Sequence, residues 1–250
     1  MRTLAVIPAR LGATRLPRKP LRLLAGLPLV VRVWQRVQGT GVADRCVVAT
    51  DSDEVAATVA AHGAEVALTS PRHPSGTDRV AEVAARPEYA GYPAVLNVQG
   101  DEPFVSVEAL RGAVSLVTSE RFELGTAAAH AKPEILGTPH VVKVVAADDG
   151  RAMYFSRAPI PFLREQDDAG TLATHVRQHI GVYAYRREAL ERWVSLPPHP
   201  LEQIERLEQL RPLAAGMAMG VALVNEPLRA GIDTEADLAR ANDEWSQFSR

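Results

Sequence analysis

Four cations crowd into ten residues near the start of the chain. Arg10, Arg15, Arg18 and Lys19 lie in VIPARLGATRLPRKP (6–20), with Gly12 for flexibility and Pro17 and Pro20 for stiffness. Such a loop suits a polyanion. A triphosphate carries about four negative charges, and each charge-assisted hydrogen bond contributes about 1.5–3 kcal/mol. The competing reading is a solvated basic loop, which has no need of three prolines and a glycine among its charges.

A bound polyphosphate normally brings magnesium, which takes carboxylate oxygens together with phosphate and water. NVQGDEP (97–103) supplies Asp101, and GIDTEADL (231–238) supplies Asp233. Asp101 follows a buried strand and a glycine, at the same sheet edge as the basic loop. Asp233 has a second reading, because Asp-Thr before a helical run is also a capping signature. Asp51 and Asp53 form a D-x-D of the kind that nucleotide-sugar glycosyltransferases use to hold a metal. Here Asp51 ends an apolar run and Asp53 opens a helical one, and helix N-termini recruit Asp without any catalytic reason.

Other apparent motifs carry less. Gly39-Thr40-Gly41-Val42-Ala43-Asp44 lacks the third glycine of a dinucleotide fingerprint and runs from helix to strand, the reverse of that context. No GxxxxGK[ST] occurs. His175 and His179 are four apart, but without the neighbouring glutamate of a helical zinc pair; their segment alternates as a strand, which places both on one face. Cys46 lies inside an apolar strand and reads as core.

The elements that must position the charged loops are legible as alternation. TLAVIP (3–8), CVVATD (46–51), EVALT (65–69) and AVLNVQ (94–99) are short apolar runs bounded by turn residues, as buried parallel strands are. Between them, 28–38, 53–63 and 77–86 carry apolar residues at three- and four-residue spacing, the period of a helix. The expectation is an α/β fold with a mainly parallel sheet, in which ligands sit beyond the carboxyl ends of the strands. The basic loop and Asp101 both emerge there. Farther on, 140–148 and 152–157 read as a hairpin around Asp149-Gly150. Residues 176–185 and 221–224 read as strands, and 187–194, 201–211 and 234–246 as helices. A single domain over 1–250 with a β-rich insertion at about 130–190 accounts for this order.

Composition bounds the function. The 250 residues carry 28 Lys+Arg and 30 Asp+Glu, a formal net charge of −2, so the chain lacks the basic excess that nucleic acid or an anionic membrane would need. One cysteine excludes an internal disulfide framework and a multi-cysteine zinc site. No apolar stretch reaches the roughly 18 residues of a membrane span, and the run after Met1-Arg2 is too short for a signal-peptide core. A cytoplasmic enzyme with no nucleic-acid or membrane partner is the expectation.

Taken together, VIPARLGATRLPRKP, HPSGTDR (73–79), NVQGDEP, YFSRAPIP (154–161), HIGVYAY (179–185), PLEQIERLEQLR (200–211) and GIDTEADL occur in a fixed order from Val6 to about Leu238. In these the chain resembles the 3-deoxy-D-manno-octulosonate (Kdo) cytidylyltransferases. The resemblance implies a nucleotide-diphospho-sugar transferase-like α/β core, a β-rich dimerisation extension and a homodimer. It implies a reaction in which CTP and Kdo give CMP-Kdo and pyrophosphate with Mg2+, for lipopolysaccharide biosynthesis. It also assigns roles. Arg10 and Lys19 hold the triphosphate with Arg15 nearby, and Pro8, Ala9, Ser75, Gly76 and Arg79 enclose the cytidine. Asp101 and Asp233 hold magnesium. Gln99, Arg157, His179, Tyr183, Glu202 and Gln203 line the Kdo pocket, where an arginine suits the sugar carboxylate.

Two positions depart from the family pattern. Ala13 stands where serine is usual, and Arg18 where glycine is usual before the Lys-Pro pair. An arginine there is shared with the sialic-acid branch, whereas NVQGDEP and PLEQIERLEQLR are those of the Kdo branch. An 8-amino-Kdo or sialic-acid cytidylyltransferase, or a glycosyltransferase on the same core, are the alternative activities.

Overall fold

The computed structural model describes residues 1–12, 15–226 and 228–248. Contacts divide the chain into two compact units, Met1–Val107 with Leu228–Arg250, and Glu108–Pro227.

The first unit is built on four parallel strands. Those expected from the apolar runs are β1 (Thr3–Ala9), β4 (Arg45–Thr50), β5 (Glu65–Leu68) and β6 (Ala94–Asn97); β2 (Leu23–Leu24) and β3 (Leu27–Pro28) form a separate two-stranded hairpin. β1 lies between β6 and β4, and β5 lies outside β4, all parallel. Leu4, Ala5, Val6 and Ile7 of β1 are fully buried. That explains why this strand reads as a continuous apolar run rather than an alternation.

Helices cover the sheet where the period predicts them. In α1 (Leu29–Gly39), Leu29, Val30, Val33 and Val37 make one buried face. In α2 (Asp53–Ala61), the Ser52 hydroxyl caps the N-terminus by accepting from Val55 N, and Asp53 and Glu54 occupy the first turn. In α3 (Gly76–Ala84), Ser75 caps in the same way, accepting from Asp78 N. A last helix, Glu235–Phe248, returns to this unit. The parallel strands β1, β4 and β6 end at Ala9, Thr50 and Asn97, so the segments carrying Arg10–Lys19, Asp51 and Asp101 leave the sheet at its carboxyl edge.

The second unit mixes directions. It holds α4 (Val107–Thr118), β7 (Leu124–His130), β8 (Lys143–Ala146), β9 (Ala152–Ser156), α5 (Ala169–His175), β10 (Arg177–Arg186), α6 (Arg187–Ser195), α7 (Pro200–Glu205), α8 (Leu210–Ala214) and β11 (Met219–Val224); the closing helix of the first unit is α9. β7 runs parallel to β11 and antiparallel to β10, with a register shift between Ile180 and Tyr183. β8 and β9 are the hairpin expected around Asp149-Gly150. The fold is thus a mixed α/β one with mainly parallel strands at its core.

Two readings are corrected. His175 ends α5 instead of sharing a strand face with His179. The helix expected over 201–211 is two short ones, α7 and α8, because Arg206 is left-handed (φ 55°) and ends α7. Strand β7 and helix α4 are additions to the expected elements: β7 is buried along nearly its whole length and shows no alternation, whereas α4 buries Ala109, Leu110, Ala113, Leu116 and Val117 at helical spacing. Among the described residues, no helix is long and apolar enough to cross a membrane.

Candidate active site

Two glycines let the charged segments approach. A Cβ on Gly100 would lie 2.7 Å from the Pro8 carbonyl oxygen, so only glycine lets the chain after β6 pass against the end of β1. A Cβ on Gly231 would lie 2.7 Å from Glu102 Oε1. The Ile232 amide donates to the Asp101 carbonyl at 3.0 Å, which joins the two acidic loops backbone to backbone.

These approaches converge on Lys19. Its ammonium donates to Asp101 Oδ2 at 2.6 Å and to Asp233 Oδ1 at 2.6 Å, and Arg15 donates to Asp233 Oδ2 at 3.0 Å. The Lys19 side chain is only 15% exposed, against 31% for Asp101 and 43% for Asp233, so the ammonium lies beneath the carboxylates. Burial works to lower the Lys19 pKa, but the charges and hydrogen bonds of Asp101 and Asp233 outweigh it and hold it above the ordinary lysine value. Glu102, next in sequence, is a weaker acid than its neighbours. Burial, then the charges of Asp101 and Asp233, push its carboxyl up to about 8 against the pull of Lys19.

Arg10 follows β1 directly and is exposed at the strand's carboxyl edge. Arg18 is left-handed at φ 58°, a conformation that glycine adopts without strain, and its guanidinium pairs with Glu54 of α2. This gives the glycine-to-arginine departure a physical meaning. Ala13 lies outside the described residues.

The donor chemistry suits a divalent cation. Two carboxylates from separate loops already converge on one cationic centre, and magnesium is commonly held by one or two carboxylates with phosphates completing the shell. Among the described residues, no group of three or more His, Cys, Asp or Glu is arranged to hold a metal by itself.

Beside this cluster, Pro8 packs at the start of α3, where a Cβ on Gly76 would meet Pro8 Cγ at 3.4 Å and Gln99 Oε1 at 3.8 Å. Ala9, at the end of β1, is buried. Arg79 is 4% exposed and pairs with Asp51 Oδ2 at 3.2 Å, while its guanidinium also donates to Thr69 Oγ1. Asp51 thus serves a cation of its own unit, and Asp53 is the exposed first residue of α2. Sequence reasoning missed the Asp51–Arg79 pairing because no local rule links positions in different loops.

The remaining predicted residues lie in the second unit, apart from Gln99. The Arg157 side chain donates to the carbonyls of Glu205 (2.8 Å) and Pro139 (3.1 Å), and its amide donates to Glu205 Oε2 at 2.9 Å. His179 Nε2 is 2.9 Å from Thr126 Oγ1, and burial pushes its imidazole down to about 3, so it is neutral at physiological pH. Its ring lies 5.5 Å from that of Tyr183, whose phenol burial pushes well above its ordinary value. Both Glu202 oxygens accept from Arg211, at 2.8 and 2.5 Å, and the carboxylate also receives the His199 amide. Gln203 is exposed on α7. Thr126 carried no signal in the sequence, and although Glu205 and Arg211 lie in PLEQIERLEQLR, nothing local marks them as partners of Arg157 and Glu202.

A model of the cytidylyltransferase family matches residues 4–219, a span that takes in the basic loop and Asp101. The chain is 65% identical over 245 residues to a 3-deoxy-manno-octulosonate cytidylyltransferase of Gemmatimonas aurantiaca, covering 98% of this chain and 95% of the relative. It is 45% identical over 239 residues to the protein of the same name from Polynucleobacter asymbioticus, covering 95% and 93%. Among solved structures, a CMP:2-keto-3-deoxy-manno-octonic acid synthetase complexed with CTP superposes with a TM-score of 0.91 at 33% identity, covering 99% of each chain. With its ordered motifs, its lysine–aspartate cluster and near full-length relatives, the chain belongs to the cytidylyltransferase family, among the 3-deoxy-manno-octulosonate cytidylyltransferases.

Proposed function

We propose that the protein transfers the cytidylyl group of CTP to the anomeric hydroxyl of Kdo, releasing pyrophosphate, and that its product serves lipopolysaccharide biosynthesis. The observation that carries this reading is the convergence of Lys19, Asp101 and Asp233 at the carboxyl edge of the parallel strands. A triphosphate bound there meets Lys19, Arg15 and Arg10. The segment from Pro8 to Ala9, with Ser75, Gly76 and Arg79, forms the cytidine side.

Asp101 and Asp233 would hold Mg2+, which when bound supplies positive charge at the α-phosphate and a lowered pKa for a coordinated hydroxyl. The chain's own contribution is positioning and charge. The sugar hydroxyl attacks the α-phosphorus as the bond to the β-phosphate oxygen breaks, and fixed Arg and Lys donors stabilise the charge that passes to pyrophosphate. Within the second unit, Arg157 would take the sugar carboxylate, and His179, Tyr183, Glu202 and Gln203 the hydroxyls. A neutral His179 suits a hydroxyl better than a second anion-binding cation would.

We also read the chain as a homodimer, as its resemblance to the Kdo cytidylyltransferases implies. Light scattering at micromolar protein tests this. The catalytic reading is tested by pyrophosphate release from CTP and Mg2+ with Kdo, 8-amino-Kdo, sialic acid or no sugar. Release with Kdo is expected. No release with Kdo overturns the reading, and release with only one of the other sugars moves it to that substrate.

A further inference from the structure

We propose that helix α9 is the positioning element of the metal and triphosphate site, with Asn242 and Trp245 as its positioning residues. The inference rests on the reading of Lys19, Asp101 and Asp233 given above. None of those three lies on α9, yet α9 is tied to the segment that carries each.

Asp233 is held from the first turn. The Asp237 carboxylate accepts from the amides of Asp233 (3.2 Å) and Thr234 (2.9 Å), and the Asp237 amide donates to Thr234 Oγ1 at 3.1 Å. This closed capping box fixes the residue that precedes it.

The Lys19 segment is held from the middle of the helix. Asn242 Oδ1 accepts from the Ala25 amide at 2.8 Å, and Asn242 Nδ2 donates to the Leu23 carbonyl at 3.4 Å. Ala25 is left-handed at φ 48°, which an alanine keeps only where its surroundings hold it. Arg22, three residues after Lys19, pairs with Glu235 at the start of α9.

The Asp101 loop is held from the end of the helix. Phe104, 7% exposed, packs against Trp245 with ring centroids 5.7 Å apart and against Phe248 edge-on at 4.9 Å. Arg32 stacks over Trp245 at 4.7 Å and Arg36 over Phe248 at 4.8 Å, fixing the rings on α1. Beneath the charges, Leu16, Phe104 and Ile232 share one apolar cluster with Leu238 and Ala241 of α9. Each is a near neighbour in sequence of a charged residue of the site. One helix thus sets the spacing of three groups from three loops. A misplacement of about 1 Å in such a site costs about 100-fold in rate, far more than the hydrogen bonds of an exposed asparagine contribute to stability.

The test uses the full chain as wild type, Asn242→Ala, Trp245→Ala and Trp245→Phe. Mn2+ binding in the presence of CTP is followed by electron paramagnetic resonance, alongside kcat, KM and thermal melts. We expect Asn242→Ala and Trp245→Ala to weaken Mn2+ binding about threefold to tenfold and to lower kcat about tenfold. KM for the sugar acid should stay unchanged, and Trp245→Phe should restore Mn2+ affinity and kcat. Should Trp245→Ala fail to fold, Asn242→Ala decides. Folded variants with lower Tm but wild-type Mn2+ affinity and kcat overturn the inference. Absence of Mn2+ binding by the wild type overturns the metal reading itself, and the inference with it.

Discussion

The ammonium of Lys19 lies 2.6 Å from Oδ2 of Asp101, a residue 82 positions away in sequence. With Asp233 at the same distance on its other oxygen-rich side, the lysine neutralises the carboxylates that a metal would neutralise in turn. On the proposed reading, a cation that took these carboxylates would displace the lysine, so cation binding and lysine release would be coupled. Replacing Lys19 by Met should make the free protein bind Mn2+ about tenfold more tightly, a gain of about 1.4 kcal/mol. It should also raise KM for CTP or lower kcat, with the far-UV circular dichroism unchanged. Calorimetric titration of Mn2+ without nucleotide checks the first half; equal or weaker binding by Lys19→Met would refute the coupling.

Asp101 and Asp53 separate the proposed chemistry from that of a D-x-D glycosyltransferase. Asp101 faces Lys19, whereas Asp53 is exposed at the first turn of α2 and Ser52, not an aspartate, caps that helix. Asp101→Asn should lower kcat about 100-fold or more. Asp53→Asn should leave turnover largely intact and cost at most about 1 kcal/mol of stability. Steady-state pyrophosphate release reads both; the opposite ranking would favour the glycosyltransferase alternative.

Asp51 acts through Arg79. The guanidinium is 4% exposed, and its charge is met by Asp51 Oδ2 at 3.2 Å. Asp51→Asn keeps the hydrogen-bonding shape and removes the charge, which leaves the buried Arg79 guanidinium on Thr69 Oγ1 with no counter-charge at Asp51 and so less firmly placed. If Arg79 faces the cytidine, KM for CTP should rise about fivefold to tenfold, the equivalent of one weakened charge-assisted contact. KM for the sugar acid should stay fixed. An unchanged KM for CTP would place Arg79 in the fold alone.

The four parallel strands of the first unit and the helices between them were legible because their apolar runs and helical spacings are local. Leu4–Ile7 are buried on both faces, and α1 buries residues three and four apart. The chemistry-bearing residues were legible as types and as a resemblance, but not as contacts. Nothing in GIDTEADL announces that Asp233 meets Lys19, 214 positions earlier. Glu102, made a weaker acid by burial and two neighbouring charges, reads in sequence as one more acid of NVQGDEP. Strand β7, made of small residues and buried along nearly its whole length, offers no alternation to read, whereas α4 buries residues three and four apart and its period was there to be found.

Asp237 offers a pH-resolved test of the capping that holds Asp233. Burial works to raise its pKa, but hydrogen bonds from Arg240, from the Thr234 side chain and from the Asp233 and Thr234 amides hold it down at about 2. The folded value lies below the unfolded value of about 3.9, so the unfolded chain takes up this proton first as pH falls. The stabilisation is therefore full above the unfolded value and is lost as pH falls through the folded one. Asparagine mimics the protonated carboxyl while keeping an acceptor for the amides. At pH 7, Asp237→Asn should thus be less stable than the wild type by roughly 2 kcal/mol, the equivalent of the shift. The difference should shrink steadily between pH 4 and pH 2. Urea unfolding at a series of pH values measures it, and a gap that stays constant down to pH 2.5 would show that the carboxylate charge does not hold this turn.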